Sequence, residues 1–287
     1  IERYWTTPCD NSLGFSAVAG AEMYINPKKR TNEQLNKEAI INEINSSQIN
    51  AVWSGFNWSS DGWVEAAYGR ALRVRRGASV AIDWMPFATE CANIGKTIEV
   101  DFIANNVLDP EAPIITINQN INGVRGLTIT PNDVTMMTSA LKNSINQSTG
   151  LYNDKVTHIS LVVMPDAYGN DGFNLCILYV NGVKNREFTY DSADLFAHSG
   201  QLTIGSTGAD IDVYGVRGYN TAITASGIVQ NRINWLLDNE SKNIVRTRNN
   251  IQSTDGQSID FEKCKSLFNV FTFDKEFPSY NNKNKML

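Results

Sequence analysis

The sequence predicts an all-β protein built as a sandwich of two antiparallel sheets. From Ala51 onward, turn signals recur about every eight to twelve residues, as the short strands of a sandwich require. Most of the segments between these turns alternate apolar and polar side chains with period two. The segments 158–164 (HISLVVM) and 173–180 (FNLCILYV) are apolar on both faces, so they are predicted to be central strands.

The strongest local signal is Asn181-Gly182, which follows the second of these central strands. A tight type I′ hairpin needs positive φ at both central residues, and Asn-Gly is the dipeptide that tolerates this. We therefore expect the chain to turn back at once into another strand.

The other elements are expected as follows. A first strand is predicted at 21–25 (AEMYI), and the spacing of Thr31 and Gln34 fits a capping box for a short helix, although the surrounding Asn and Lys residues suit a loop equally well. Further strands are predicted at 72–74, 79–84, 97–103, 113–117, 127–130 and 134–137. Thr224 is expected to cap a helix over 225–237, with Val229, Ile233 and Leu237 on one side and Ile228 and Trp235 beside them.

Several motifs in the second half of the chain carry a resemblance to a known family. They are His158 near the start of a strand, LYVNG at 178–182, IGS at 204–206, and IDVYGVRGYN at 211–220. This series resembles the laminin-G-like branch of the concanavalin A-like lectin/glucanase superfamily. The resemblance implies a jelly-roll sandwich of two antiparallel sheets with a short C-terminal helix and an extension. In the region 51–135, the segments GFNWSSDGW, LRVRRGASVAI, GKTIEVDF and GVRGLTIT resemble the first half of similar modules in tail or baseplate proteins of bacterial viruses.

The predicted organisation is a lead-in segment at 1–20, a laminin-G-like sandwich at 21–240, and a C-terminal extension or the start of a further domain at 241–287. The last part contains LFNVFTF at 267–273, a candidate strand that needs a partner sheet. Ile1 is neither an initiator Met nor the start of a signal-peptide pattern, so we expect a fragment or a processed product.

Composition and charge exclude two classes of partner. The 287 residues carry a net charge of −5 with a pI near 5.2, which gives no long-range attraction to phosphate backbones, so nucleic acid is not an expected partner. The longest apolar runs fall far short of the roughly 18 residues that cross a bilayer, so no membrane insertion is expected. The four cysteines, Cys9, Cys91, Cys176 and Cys264, form no metal-binding pair, and their disulfide status stays open.

Two carboxylates raise the question of hydrolysis. Glu99 and Asp101 lie two positions apart in the predicted strand 97–103, so both are expected on its exposed face, away from the core. Glucanases of the superfamily place a nucleophile Glu, a helper Asp and an acid/base Glu on one such strand, because retaining hydrolysis needs two carboxyls about 5 Å apart. Here the third position falls on Ile103 or Ala104. We therefore predict that the protein is not an enzyme.

The two histidines, His158 and His198, give no support for a hydrolytic triad, because no activated nucleophile or orienting acid is evident beside either. His158 is expected to pack or to form hydrogen bonds within the sandwich.

Saccharide binding is the natural use of the fold that the resemblance implies. Aromatic faces stack on sugar C–H surfaces, and Asp or Asn side chains bond the hydroxyls. The candidate contacts are Trp58, Asp61 and Trp63 in GFNWSSDGW, with Tyr168 in the loop PDAYGNDG at 165–172. The competing interpretation of the first cluster is that its aromatic rings are buried against a sheet edge.

The loop at 165–172 also offers hard oxygen ligands. Asp166, Asn170 and Asp171 could bind calcium, and the competing interpretation is a solvated turn. No other cofactor is predicted.

The sequence thus predicts a non-catalytic binding or structural module of a larger assembly, located in a virion or outside the cell. The setting favoured by the resemblance is a bacteriophage tail, baseplate or fibre protein that contacts a cell-surface glycan or neighbouring virion subunits. One alternative is a secreted or surface glycan-binding protein of a bacterium, which a signal peptide in the complete gene would favour. The other is a glycoside hydrolase or lyase, which polysaccharide turnover abolished by Glu99→Gln would favour.

Overall fold

The structure is a computed structural model that describes residues 20–84, 95–117, 126–137, 142–145, 156–164, 174–190 and 200–233. These ranges lie, apart from Ile233, in a compact unit formed by Ala17–Arg232. The remaining unit comprises Ile1–Ser16 and Ile233–Leu287, so the predicted lead-in and extension fall largely outside the described residues and their boundaries stay predictions.

The described strands, in chain order, are β1 (Ala21–Ile25), β2 (Ile40–Asn42), β3 (Ser47–Ile49), β4 (Ala51–Ser54), β5 (Gly62–Ala66), β6 (Gly69–Val74), β7 (Ser79–Trp84), β8 (Lys96–Asn105), β9 (Ile115–Ile117), β10 (Gly126–Ile129), β11 (Val134–Met137), β12 (Lys142–Ile145), β13 (Thr157–Met164), β14 (Asn174–Val180), β15 (Val183–Tyr190), β16 (Gly200–Gly205) and β17 (Asp210–Tyr219). A 3₁₀ helix spans Pro27–Lys29, and an α-helix, α1, is described over 225–233.

The described strands form a sandwich, which confirms the predicted fold class. The larger sheet has the order β15-β14-β13-β8-β17-β6-β5, with β1 also paired to β17, and the smaller sheet has the order β12-β11-β10-β9-β16-β7-β4. Strands β2 and β3 pair separately. All pairings among the described strands are antiparallel, as the alternating sequence pattern predicts.

The main core contains residues of both sheets. Strand β8 contributes Ile98, Val100 and Phe102, and Ile117 and Ile204 come from the smaller sheet. Because side chains alternate along a strand, the intervening residues of β8 point to the opposite face of the larger sheet. That outer face is also buried, since every residue from Lys96 to Ala104 is buried.

The predicted hairpin turn is confirmed. Asn181 and Gly182 have φ values of 53° and 81°, the two positive angles of a type I′ turn, and they join β14 to β15.

Among the described strands, β4 is an edge strand of the smaller sheet and β5 is an edge strand of the larger sheet. The connection Gly55–Asp61 joins them. The margin of the sandwich where β4 and β5 run would expose core side chains and unpaired backbone groups unless other residues covered it. The segment 30–39 provides cover, since Asn32 accepts a hydrogen bond from the Trp63 backbone N–H of β5 at 2.8 Å.

The helix expected after Thr31 is absent, and 31–38 is described as turns. The Thr31 N–H does donate to the Gln34 side chain at 3.3 Å, as in a capping box. The backbone bonds of this segment run from residue i+3 to residue i: Gln34 N–H donates to Thr31 O, Lys37 N–H to Gln34 O and Ala39 N–H to Asn36 O, which makes turns. The indoles of Trp63 and Trp53 donate to Lys37 O and Glu38 O, at 2.7 and 2.8 Å. Of the two interpretations that the sequence left open here, the structure shows the loop, and the two indoles attach it to β4 and β5.

Helix α1 lies where the sequence predicts a helix. The Gly227 N–H donates to Thr224 Oγ1 at 3.2 Å, which confirms Thr224 as its cap. Ile228 packs with Val162, Tyr179 and Tyr219 on the outer face of the larger sheet. Leu237 and Trp235 lie outside the described residues. No helix in the described ranges is long and apolar enough to cross a membrane.

Candidate ligand-binding site

Four aromatic side chains meet at the β4–β5 margin, and we call them the aromatic cluster: Trp53, Phe56, Trp58 and Trp63. Ring centroids lie 4.7 Å apart for Trp53 and Phe56, 5.1 Å for Trp53 and Trp58, and 5.4 Å for Phe56 and Trp58. Trp53 and Trp63 are edge to face at 6.1 Å. Such contacts fix ring orientation beyond simple burial, so the cluster is one packed unit.

Trp63 is the buried base of this cluster. It is 3% exposed and belongs to the main core, and its indole N–H donates to Lys37 O. The Arg30 guanidinium lies 5.7 Å from its ring centroid. The structure thus places this predicted ligand contact under the loop rather than on the surface, in agreement with the competing interpretation of burial at a sheet edge.

Asp61 is also turned inward and is 3% exposed. Its carboxylate accepts the Asn57 backbone N–H at 2.9 Å and the Ser60 hydroxyl at 3.0 Å, and Arg75 Nε lies 3.5 Å away. This predicted ligand contact therefore holds the turn 57–61 together.

Asn32 fixes the same loop from the other side. Its amide nitrogen donates to Trp58 O at 2.8 Å and to Asp61 O at 2.6 Å, and its oxygen accepts from the Trp63 N–H. Gly62 has φ of +87°, and a Cβ there would lie 2.5 Å from the Trp58 ring. The Trp58 ring thus packs directly on a glycine backbone, and its loop has little freedom to move.

The exposed side of the cluster forms a surface that we call the rim, defined as Lys37, Phe56, Asn57 and Trp58. Phe56 and Trp58 are partly exposed, and Asn57 is exposed. The Lys37 ammonium lies 5.1 Å from the Trp58 ring centroid, within the range of a cation–π contact. Of the predicted ligand contacts in this loop, Trp58 is the one that the structure leaves partly accessible.

Lys37 and Asn32 were not predicted from the sequence. They lie 21 and 26 residues before Trp58, in a segment with no regular period, and no local pattern connects the two regions.

The second predicted loop lies outside the described residues, and with it Tyr168 and the predicted calcium ligands Asp166, Asn170 and Asp171. Within the described ranges, no three His, Cys, Asp or Glu side chains are arranged to hold a metal ion. Calcium binding therefore stays a prediction.

A group of charged and polar side chains is buried on the outer face of the larger sheet, and we call it the buried ion cluster: Glu99, Asp101, His158, Ser160 and Arg217. All five are 0% exposed. The prediction that Glu99 and Asp101 lie on an exposed strand face is therefore wrong. Alternation along β8 indicated their common face correctly, but α1 and neighbouring side chains cover that face.

The hydrogen bonds of this cluster favour the charged form of His158. Ser160 Oγ donates its single proton to Glu99 Oε1 at 2.9 Å, so toward His158 Nε2, 2.8 Å away, it can only accept. His158 Nδ1 faces Asp101 Oδ1 at 2.7 Å. Both ring nitrogens are thus placed to donate, and this arrangement, with Asp101 and Glu99 raising the pKa of His158, favours the imidazolium form.

The two carboxylates of the cluster face cations. Asp101 binds His158 through one oxygen and Arg217 Nη1 through the other at 2.7 Å, so two cations face the carboxylates of Asp101 and Glu99. Burial alone would raise the pKa of Asp101, but Arg217 and His158 hold that pKa well below its usual range. Burial alone would lower the pKa of His158, but Asp101 and Glu99 hold it above its ordinary value.

Ser160, His158 and Asp101 line up as in a hydrolytic triad, an arrangement that the sequence did not suggest. The roles are reversed, however, because a catalytic Ser donates to a neutral His. Here Ser160 accepts from a charged His and donates to Glu99, and none of the three is exposed to a substrate. The expectation that His158 serves in packing and hydrogen bonding is confirmed.

Helix α1 is attached to this cluster by polar contacts. Asn231 Nδ2 donates to Glu99 Oε2 at 2.5 Å and to the Tyr219 hydroxyl at 2.9 Å. Arg232 donates to Val156 O at 3.2 Å, and its Nη1 lies 3.8 Å from Asp101. The cluster therefore joins β8, β13, β17 and α1.

Comparison with known proteins supports the fold. No protein-family model matches this sequence, and no curated protein matches it. The described fold resembles toxin binding domains. The binding domain of botulinum neurotoxin serotype D/C VPI 5993 superposes with a TM-score of 0.53 at 12% identity, over 73% of this chain and 50% of that one.

Two related toxin structures were solved with partners. The botulinum neurotoxin DC binding domain in complex with SialylT gives a TM-score of 0.51 at 12% identity, over 74% of this chain and 51% of that one. The complex with rat synaptotagmin II gives a TM-score of 0.50 at 12% identity, over 73% of this chain and 50% of that one. This chain spans about half the length of these domains, and at such identities the likeness shows the fold alone. It agrees with a β-sandwich of two antiparallel sheets.

The charged His158 makes the stability of this fold depend on pH. Its pKa is higher in the folded state than the ordinary value of 6.5, so its contribution is complete below that value and is lost as pH rises through the folded pKa. We expect the urea concentration at the unfolding midpoint to decrease as the pH is raised above neutrality. His158→Gln, measured over the same pH range, should flatten this limb, whereas an unchanged alkaline slope in the variant would show that another group titrates.

Proposed function

We propose that this chain is a non-catalytic binding module that contacts a saccharide through the rim. The observation that carries the proposal is a pair of partly exposed aromatic rings, Phe56 and Trp58, held in a loop that Asn32 and Asp61 fix from beneath. Sugar rings present C–H faces that stack on such surfaces, and Asn57 supplies an exposed amide beside them.

Rigidity favours binding at the rim. Ordering a side chain on association costs about 0.5–1.5 kcal/mol, and a loop that is already fixed avoids this cost. The Trp58 ring rests on Gly62 and contacts Trp53 and Phe56, so its position is set before any ligand arrives. Trp63 and Asp61 serve the same site indirectly, by supporting the loop.

Tyr168 and the calcium ligands Asp166, Asn170 and Asp171 remain part of the proposal as a second contact region in the loop 165–172. A calcium requirement for saccharide binding would support them. Binding that is unchanged by chelator would remove calcium from the account.

The buried carboxylates argue against the alternative of a glycoside hydrolase or lyase. Glu99 and Asp101 are engaged by Ser160, His158, Arg217 and Asn231, and neither is exposed. Glycoside hydrolysis needs two accessible carboxyls flanking the scissile bond. We therefore propose that these two residues stabilise the fold.

The setting we propose is a bacteriophage tail, baseplate or fibre protein, in the virion or outside the cell, where the rim meets a cell-surface glycan. It rests on the sequence resemblance of the region 51–135 to modules of such proteins. Two of the similar toxin structures are described as binding domains in complex with SialylT and with rat synaptotagmin II, which supports either a glycan or a protein as partner. A secreted glycan-binding protein of a bacterium is the alternative setting.

A contact with a neighbouring virion subunit is the second candidate function, favoured by apolar exposure near the rim. Leu35 is fully exposed in the segment that also carries Lys37, and Val52 is exposed on β4 beside Trp53. Exposed apolar residues of this kind are common at protein interfaces. Leu35→Ser and Val52→Ser should weaken such a contact and leave saccharide binding intact.

The test is binding of the purified protein to a glycan array and to whole bacterial cells, with and without calcium. We expect specific binding that Trp58→Ala reduces at least about tenfold, since a central Trp contact is commonly worth more than 1.4 kcal/mol. Trp58→Phe should retain part of the binding and serves as a second variant if the Ala form folds poorly. No binding to any glycan or cell would contradict the proposal.

A further inference from the structure

We infer that the buried ion cluster makes the attachment of helix α1 to the sandwich sensitive to pH. Helix α1 is held while both ring nitrogens of His158 carry a proton, and it is released, with the sandwich still folded, when one of these protons is lost. The inference does not depend on saccharide binding, because the rim is formed by other residues at the β4–β5 margin. It concerns one helix, not the unfolding of the whole chain.

The buried side of α1 is partly polar, and its polar residues contact the cluster. In the described part of the helix the buried residues are Ile228, Asn231, Arg232 and Ile233. Asn231 Nδ2 donates to Glu99 Oε2 at 2.5 Å. Arg232 Nη1 lies 3.8 Å from Asp101 Oδ1. The attachment of α1 therefore depends on the charges of the sheet face beneath it.

The apolar contacts of α1 are separate from the main core. Ile228 belongs to a group of buried residues on the outer face of the larger sheet, with Val162, Tyr179, Tyr219 and Ile223. None of these residues belongs to the main core, which contains residues of both sheets. Release of α1 would thus uncover the outer face and leave the contacts between the sheets in place. An element with few buried apolar contacts opens at a lower free energy than the core does.

His158 is the group of this face that is suited to change charge near neutral pH. Its ordinary pKa is 6.5, whereas carboxyl, tyrosine and arginine side chains ordinarily titrate below about 5 or above about 10. Strand β14 carries no charged side chain in its described range Asn174–Val180. The charged and titratable groups around His158 and its partners are Glu99 and Asp101 of β8, Arg217 and Tyr219 of β17, Tyr24 of β1, Tyr179 of β14 and Arg232 of α1.

Loss of one proton from His158 would leave a buried acceptor without a donor. The proton leaves Nε2 for the solvent, because Nδ1 keeps its hydrogen directed at Asp101 Oδ1, 2.7 Å away. Nε2 then needs a donor, but Ser160 has a single hydroxyl hydrogen, which it donates to Glu99. If Ser160 turns to Nε2, Glu99 Oε1 loses that hydrogen bond, and if it does not, Nε2 is unpaired. A buried acceptor without a donor is strongly unfavourable, above all a carboxylate.

Release of α1 would relieve this shortage. Glu99 is 0% exposed, and Asn231 of α1 binds one of its oxygens. Once the helix has left, water can reach the carboxylate and donate to it. The sign of the pH effect is fixed, since Asp101 and Glu99 hold the pKa of His158 above its ordinary value. The stabilisation by the charged imidazole is complete below that ordinary value and is lost as pH rises through the folded pKa.

The experiment is amide hydrogen exchange of the full chain, followed by mass spectrometry from about pH 6 to about pH 9, with each rate divided by the intrinsic rate at that pH. The Ile228 N–H, which donates to Thr224 O at 3.1 Å, is one of the amides that report on α1. Above about pH 6.5 we expect the protection of α1 to fall about tenfold per pH unit until the folded pKa is passed. Strands β7 and β16 should stay more strongly protected than α1 throughout.

The two histidines provide a matched pair of variants. His158→Gln should make the protection of α1 independent of pH. His198→Gln changes the only other histidine of the chain and should keep the pH dependence of the wild type. If His158→Gln does not fold, an NMR titration of the His158 imidazole in the wild type replaces it. Its midpoint should coincide with the loss of protection in α1.

Four results would overturn the inference. Equal protection of α1 and β7 at every pH would mean that the helix opens only with the whole fold. Protection of α1 that does not change with pH in the wild type, or that keeps its pH dependence in His158→Gln, would show that His158 does not control the helix. So would a titration of the imidazole during which α1 stays fully protected.

Discussion

Replacing Asp101 with Asn is expected to lower the free energy of unfolding by about 3–5 kcal/mol, the range found when one partner of a buried ion pair is removed. Asp101 faces the buried cations His158 and Arg217, each 2.7 Å away, and Arg232 Nη1 lies 3.8 Å from it. The substitution would leave these three cations with Glu99 as the remaining carboxylate of the cluster. Urea denaturation followed by circular dichroism measures the change.

Glu65→Gln is the matched control for this substitution. It makes the same carboxylate-to-amide change in an ion pair with an arginine, but Glu65 is largely exposed, so the expected loss is below about 1 kcal/mol. Equal losses for the two variants would mean that the buried ion cluster contributes no more than a surface pair.

Replacing Trp63 with Ala is expected to cost about 3–5 kcal/mol, as is typical of a large aromatic residue removed from a core. The substitution would also abolish the hydrogen bond to Lys37 O and take away the ring on which Trp53 packs. We expect thermal or urea unfolding to show the loss before any ligand is added.

Trp58→Ala is the comparison within the same loop. Because Trp58 is partly exposed, its removal should cost only about 1–2 kcal/mol of stability. A stability loss from Trp58→Ala as large as that from Trp63→Ala would place Trp58 in the core and would remove it from the rim. Binding measurements on the Trp63 variant are informative only where it remains folded.

The alternation of side chains allowed much of the sandwich to be predicted. Strand β7 has the predicted bounds Ser79–Trp84, β11 the predicted bounds Val134–Met137, and the predicted strand 97–103 falls within β8 (Lys96–Asn105). The Asn181-Gly182 turn was predictable because its backbone angles restrict the residue types. These features depend on residues close in sequence.

The buried ion cluster could not be predicted in this way. Its contacts join residues 57, 116 and 132 positions apart, between Asp101 and His158, Asp101 and Arg217, and Glu99 and Asn231. Alternation indicates that two carboxylates share a face of β8, but not what covers that face. The same limit applies to the loop at 31–38, which is attached to the sandwich by two indole N–H groups that donate to the carbonyls of Lys37 and Glu38.

The candidate site was predicted in part. The aromatic residues of GFNWSSDGW drew attention to the correct loop, because three aromatic residues in a polar segment are unusual for a plain turn. Trp63 is buried and Trp58 is partly accessible. This difference depends on Asn32, which bonds the backbone of both residues, and on Gly62, against which the Trp58 ring packs. Neither can be deduced from the loop's own sequence.

The most direct test of the account is the affinity of wild type and of Trp58→Ala for the best array ligand, measured by titration calorimetry at a temperature where both are folded. We predict a dissociation constant at least about tenfold larger for the variant, with Leu35→Ser unchanged. An unchanged affinity in Trp58→Ala would contradict saccharide binding at the rim.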